Sequence, residues 1–153
     1  MAVQMQNNTA MYGDFTRNAW FTPKEKRSVT TPYKTAFQSL STKALDAAEC
    51  VEKGETLYRI GTKGVSKTGN DAQFWSLENP LANPDAYAKK YGVPVANING
   101  ADFIETANIK HGANFITRAA PTAPGAPKGA GGGIEAVIAP GGTTGNVITP
   151  IKR

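Results

Sequence analysis

The sequence predicts a single α+β domain, and three observations carry that expectation. Two stretches have helical spacing with capping residues at both ends, near 41–53 and 83–91. Several runs of β-branched and aromatic residues have strand length and are bounded by Gly or Pro. No internal repeat and no regular alternation of strand and helix occurs, which argues against a doubly wound parallel sheet.

With 153 residues the chain is long enough for one real hydrophobic core. Its 40% hydrophobic and 19% charged residues are ordinary for a globular protein, while 16 Gly and 10 Pro announce many loops. The formal net charge of +5 suits an acidic partner, a phosphate-bearing ligand or nucleic acid, although the basic residues form no dense block. One cysteine, Cys50, cannot make an intrachain disulfide. No apolar run approaches membrane-spanning length, so no membrane partner is expected, and the N-terminus shows no signal-peptide core.

In chain order, residues 1–35 read as polar and irregular, with Tyr12, Phe15, Trp20, Phe21 and Tyr33 as anchors that drape over a core. Ser41 to Lys53 reads as a helix: Ser41 is a candidate N-cap, Ala44, Ala47, Ala48 and Val51 share a face, and Gly54 stops it. Residues 1–54 thus form an N-terminal extension with a helical segment, and 55–153 the core of the domain. Cys50 on the helix reads as a small packing residue.

Thr56 to Gly61 is a predicted strand on which Leu57, Arg59 and Gly61 alternate against Tyr58 and Ile60. After a polar loop over 62–71, Ala72 to Leu77 is a second strand. Asn83-Pro84-Asp85 opens a short helix that ends at Gly92. Phe103-Ile104, Asn114 to Arg118 and Asn146 to Thr149 are further strands. Residues 119–133, rich in Ala, Pro and Gly, form a long loop of the kind that is usually functional or disordered. It opens into Ile134-Glu135-Ala136-Val137-Ile138, a strand that sets one carboxylate among apolar residues.

Metal chemistry is not expected, because one His, one Cys and scattered acids give no ligand spacing. Neither a phosphate-binding Gly-x-x-x-x-Gly-Lys loop nor a Gly-x-Ser-x-Gly elbow is present. Arg59 stands out, because an arginine inside a strand is costly to bury unless it holds an anion.

Leu57-Tyr58-Arg59, then Phe74-Trp75-Ser76, then Gly131-Gly132-Gly133-Ile134-Glu135 occur in that order. This order resembles the Arg–Ser–Glu class of mono-ADP-ribosyltransferases. More narrowly it is similar to the toxin domains of Rhs-type polymorphic effectors of the branch that modifies elongation factor Tu, which share the flavour of Phe-Trp-Ser-Leu-Glu-Asn-Pro and Phe115-Ile116-Thr117-Arg118. The resemblance spans roughly residues 55–149.

It implies a fold of two small sheets around an NAD cleft with short N-terminal helices, and Glu135, Arg59 and Ser76 as the catalytic group. Arg59, Tyr58, Trp75, Ser76 and Gly133 would contact NAD, the substrate, with no metal. It further implies a secreted, type VI-linked effector acting in the cytoplasm of a target bacterium, monomeric and held in check by an immunity protein. Two departures are visible. The Ser-Thr-Ser often found at the middle motif is reduced to Ser76, and Gly133 stands where arginine-modifying relatives carry an acid. Gly133 therefore argues against an arginine acceptor. Two other readings stand beside this one: a metal-independent ribonuclease toxin using His111, Glu135, Arg59 and Arg118, and a non-catalytic binding module.

Overall fold

A computed structural model describes residues 26–152. The expected anchors Tyr12, Phe15, Trp20 and Phe21 lie outside the described residues. The chain folds as mixed α+β, with a two-stranded ribbon and a six-stranded antiparallel sheet. The ribbon is β1 (Ser28–Thr30) and β2 (Thr35–Phe37), in a region read from sequence as irregular. Three-residue strands leave no periodicity to detect.

Helix α1 (Thr42–Glu52) starts where Ser41 predicts: the Ser41 hydroxyl accepts the Ala44 N–H at 3.2 Å. Its buried face is Ala44, Ala47, Ala48 and Val51, as the spacing requires. Strands β3 (Leu57–Gly61) and β4 (Phe74–Ser76) follow, the second shorter than expected. Helix α2 (Pro84–Tyr91) is capped by Asn83 and closed by Gly92 in the left-handed region, φ 66°. A third helix, α3 (Val95–Asn99), was not foreseen; at five residues it carries no amphipathic pattern and buries only Ile98.

The remaining strands are β5 (Phe103–Ile109), β6 (Phe115–Ala119), β7 (Ile134–Ile138) and β8 (Thr143–Pro150). Both β5 and β8 run longer than their sequence suggests. The polar residues that disguise β5 have partners: Glu105 is bonded to Arg59, and Asn108 donates to the Gly54 carbonyl at 2.8 Å.

Strand order in the large sheet is β6-β7-β4-β3-β5-β8. Its centre is its weakest seam. β3 and β4 pair through one residue pair, Tyr58 opposite Ser76, whereas β3 and β5 pair over five and β6 and β7 over five. The sheet is thus two three-stranded halves joined at a point.

One face of the sheet packs on α1: Leu57, Trp75, Ala107, Phe115, Ala136 and Ile138 meet Ala48 and Val51. On the other face, Ile116 and Val137 meet Val29 and Ala36 of the ribbon. The segment between ribbon and α1 is tied down by Gln38, which donates to the Thr117 hydroxyl at 2.8 Å and accepts the Thr117 N–H at 3.1 Å. Thr117 in turn donates to the Ala44 carbonyl at 2.6 Å. Ribbon, α1 and sheet therefore share one set of contacts. Among the described residues no helix is long and apolar enough to cross a membrane.

Candidate functional site

Register brings four side chains into one row across four strands. Arg118 of β6 lies opposite Glu135 of β7, Glu135 opposite Ser76 of β4, and Ser76 opposite Tyr58 of β3. Directly opposed residues share a face, so the row projects from one side of the sheet. Helices α2 and α3 stand over that side, and the space between is a cleft of about 460 Å³. Arg59, Tyr58, Trp75, Ser76 and Glu135 all line it, and Tyr87 and Tyr91 of α2 form the opposite wall.

Glu135 is the electrostatic focus. Its carboxylate accepts Nε of Arg118 at 2.9 Å, with the two side chains only 13% and 21% exposed. Burial pushes the Glu135 carboxyl above its ordinary range, and the bond and charge of Arg118 pull it partly back. A carboxylate so placed is held in one orientation beside an open cavity.

Ser76 is fully engaged. It accepts the Tyr87 hydroxyl at 2.8 Å, and its own hydroxyl lies 2.9 Å from the Glu78 carbonyl and 3.4 Å from that of Tyr58. A serine with its proton and an acceptor site committed braces the strand and does not attack. Burial lifts the Tyr87 hydroxyl to about 12, with the negative charges of Glu135 and Glu78 adding to the effect, so Tyr87 is a neutral donor. Tyr91, 4.4 Å from Tyr87 ring to ring, donates to Glu78 at 2.7 Å, and Lys90 holds the other Glu78 oxygen at 2.8 Å. Hydrogen bonding to Lys90, opposed by burial and helped by Tyr91, draws Glu78 below its usual range.

Arg59 belongs to the opposite face of the sheet. It shares parity with Leu57, and its guanidinium pairs with Glu105, directly across on β5, at 3.0 Å. Glu105 is completely buried, and its second oxygen accepts the Gly69 N–H and the Asn146 amide, each at 2.9 Å. The guanidinium carbon sits 5.6 Å from the Trp75 ring centre. Arg59 reaches the cleft because β3 and β4 are unpaired beyond Tyr58–Ser76, which leaves an opening between the halves of the sheet.

Gly61 shapes that opening. A Cβ there would lie 2.5 Å from the Phe103 ring and 2.8 Å from Cβ of Ser66, so only glycine lets the following loop fold back over the strand end. The loop closes on itself, with Ser66 N–H donating to the Thr62 carbonyl and Thr62 N–H to the Ser66 hydroxyl.

Two expected ligand contacts differ from the expectation: Trp75 borders the cleft but is buried, and Gly133 lies outside it. Trp75 is 2% exposed, its indole N–H donates to the Ala72 carbonyl, and its ring belongs to the α1 core. The partly exposed aromatic rings that line the cleft are Tyr58, Phe74 and Tyr87. Gly133 does not line the cleft. It packs on the end of α2, donating to the Lys90 carbonyl at 2.8 Å, and a Cβ would lie 2.8 Å from that same oxygen. Gly131 donates to the Lys89 carbonyl at 2.7 Å, and Ala123 to that of Gly92 at 2.8 Å. The Gly-rich loop therefore supplies the donors that the last turn of α2 lacks.

Sequence reasoning missed Tyr87 and Tyr91 as site residues and Glu105 as the partner of Arg59. The Tyr-x-x-x-Tyr spacing, which sets two rings on one helical face, was the available signal for the first two. His111 is exposed in the turn before β6, beyond the end of the strand that is remote from Arg118. Among the described residues, no cluster of three or more His, Cys, Asp or Glu could hold a metal. Comparison with known protein families, curated proteins and solved structures finds no match.

Proposed function

We propose that this protein is an NAD-dependent mono-ADP-ribosyltransferase toxin domain of the Arg–Ser–Glu class. The observation that carries the proposal is Glu135: a partly buried carboxylate, fixed by Arg118, at the edge of a cleft that also receives Ser76, Tyr58 and Arg59. The division of the large sheet into two three-stranded halves, with the cleft at their junction, supports an ADP-ribosyltransferase-like architecture of two small sheets around an NAD site.

Breaking the bond between nicotinamide and ribose requires no strong acid, since nicotinamide leaves neutral. It does require an anion beside the ribose, where positive charge develops, and a grip that holds the rest of the ligand still. Glu135 supplies the anion and accepts a ribose hydroxyl. Arg118 opposes the effect of burial on that carboxylate and aims it. Arg59 presents its planar fork to phosphate oxygens through the opening between the halves. Ser76 and Tyr87 brace the β4 strand against α2. Tyr58 and Tyr87 offer the ring faces on which nicotinamide stacks.

The acceptor we propose is elongation factor Tu, on the resemblance to the Rhs-linked branch. Adding a bulky group with two phosphates near that factor's nucleotide or tRNA site would stop protein synthesis. The producing cell would then need a protective protein, acidic to match a basic domain, covering the cleft. Such a toxin is delivered to act in the cytoplasm of a rival bacterium. The ribonuclease reading has less support, because His111 stands outside the cleft that holds Glu135.

The test is to treat purified elongation factor Tu with this protein and NAD and weigh the product. A gain of one ADP-ribose supports the proposal. An unchanged mass, with another protein or an RNA gaining the group, removes this acceptor and keeps the transferase.

A further inference from the structure

The large sheet has two edges, and the chain treats them differently. At the β6 edge the Ser39 N–H donates to the Thr117 carbonyl at 3.0 Å, and Gln38 accepts the Thr117 N–H at 3.1 Å. That edge is covered. At the other edge, β8 has β5 as its one strand neighbour among the described residues. It reads Thr-Thr-Gly-Asn-Val-Ile-Thr-Pro, without a charge, and Val147 and Ile148 are 55% and 49% exposed. Edge strands are commonly guarded by charge, bulges or proline, because their unpaired backbone groups invite another strand. Here a register shift beside Gly145 and a proline at 150 leave Ile148 between them.

The pairing fixes which backbone groups face outward. The Ile151 N–H donates to the Asp102 carbonyl at 2.8 Å, one pair beyond Phe103 and Pro150. Backbone groups alternate sides along an antiparallel strand, so Ile151 and Thr149 turn theirs toward β5, and Pro150 and Ile148 turn theirs outward. Proline has no N–H. The outward groups are therefore the Ile148 N–H and carbonyl and the Pro150 carbonyl. A cavity of about 530 Å³ opens beside them, with Ile148, Pro150 and Phe103 as apolar walls. Phe103 lies opposite Pro150 in the register, so these side chains share one face. A strand laid along β8 would set alternate side chains over that cavity.

Cations stand at both ends of β8. Exposed Lys110 precedes it, with its N–H bonded to the Gly142 carbonyl at 2.8 Å. Exposed Lys63 and Lys152 flank the far end, where Asp102 is the nearby acid. An antiparallel pairing of two copies would bring Lys110 of one toward Lys63 and Lys152 of the other, and like charges so placed repel. A segment with acids at both ends is attracted at both.

We propose that β8 is a docking strand for an extended segment of another protein, with an aliphatic side chain for the cavity and acidic residues on either side of it. Main-chain hydrogen bonds to Ile148 and Pro150 hold the segment, and the cavity selects its side chain. The site lies two strands beyond β3 and stands independently of the chemistry proposed at the seam.

A displayed library of random peptides, selected on the purified full chain, is the probe. Enriched peptides should be acidic at both ends and aliphatic between, and their binding should slow hydrogen exchange at the Ile148 amide. Ile148→Pro removes that outward donor without breaking the ladder to β5, and should weaken binding about tenfold or more. Lys110→Glu combined with Lys152→Glu should weaken binding and remove its salt dependence. Both lysines are exposed, so this variant keeps its fold even if the proline variant does not.

No enriched peptide, or peptides that bind either variant as tightly as wild type, overturns the proposal. A wild-type dimer in sedimentation that Ile148→Pro dissociates also overturns it, because the occupant is then a second copy.

Discussion

Glu135 and Arg118 form the pair on which activity should turn, and their pH behaviour follows from burial. The Glu135 carboxyl titrates above its ordinary value, chiefly through desolvation. Activity that needs the ionised form should be lost as pH falls through that raised value, at a higher pH than for an exposed glutamate. Arg118→Met removes the charge that counteracts burial, so the acid limb of the pH–rate profile should move further up. A profile unmoved by this substitution would separate Arg118 from the site. For folding the sign is opposite. A carboxyl whose folded value is raised takes up protons more readily when native, so its contribution declines as pH rises through the window between its unfolded and folded values.

Arg59 and Glu105 make a different residue-scale prediction. Both are nearly or fully buried, so Glu105→Ala strands a guanidinium without its counter-charge. The expected cost is about 3–5 kcal/mol, read from urea unfolding. A change below about 1 kcal/mol would mean that Arg59 finds another anion or reaches water. Sequence parity placed Arg59 on one face with Leu57 without saying which face was the core, and the expense of a buried arginine pointed to an anion. Which anion held it was illegible, because Glu105 lies 46 positions away in a stretch without alternation.

Among the elements, the Gly-rich loop and α2 behave as one unit. Gly133 is glycine because the Lys90 carbonyl leaves no room for a side chain. Gly133→Ala should therefore push the loop off the end of α2 at a cost of about 1–3 kcal/mol, the range for overpacking a tight contact. Because Glu135 is two residues on, turnover should fall in the same variant while circular dichroism keeps its native shape. Unchanged stability would show that α2 yields.

Elements whose ends carry chemical punctuation were the readable ones. Ser41 and Asn83 cap their helices as expected, and Ile134–Ile138 is a strand with Ala136 and Ile138 toward α1 and Val137 toward the ribbon. Elements stabilised by partners distant in sequence were not readable. The β1–β2 ribbon is held by Ile116 and Val137, and most of β8 exists through its pairing with β5. Trp75 shows the same limit for the site: a tryptophan beside a candidate serine looks like a ligand platform until register turns it toward α1.

At the scale of the whole molecule, the design is a sheet nearly divided in two, with α1 and the ribbon on its outer faces and the cleft at the seam. The proposed cleavage of NAD belongs to this seam and turns on Glu135. His111, exposed and outside the cleft, should be replaceable by alanine without loss of that activity. The most direct measurement is nicotinamide release from NAD by purified wild type and by Glu135→Gln, each first shown to be folded. Wild type should release nicotinamide, and Glu135→Gln should lower the rate on the order of 10²–10³-fold, the usual loss when a charge-stabilising group is removed. Release at the same rate by both proteins, or by neither in the presence of elongation factor Tu and cell extract, would contradict the account.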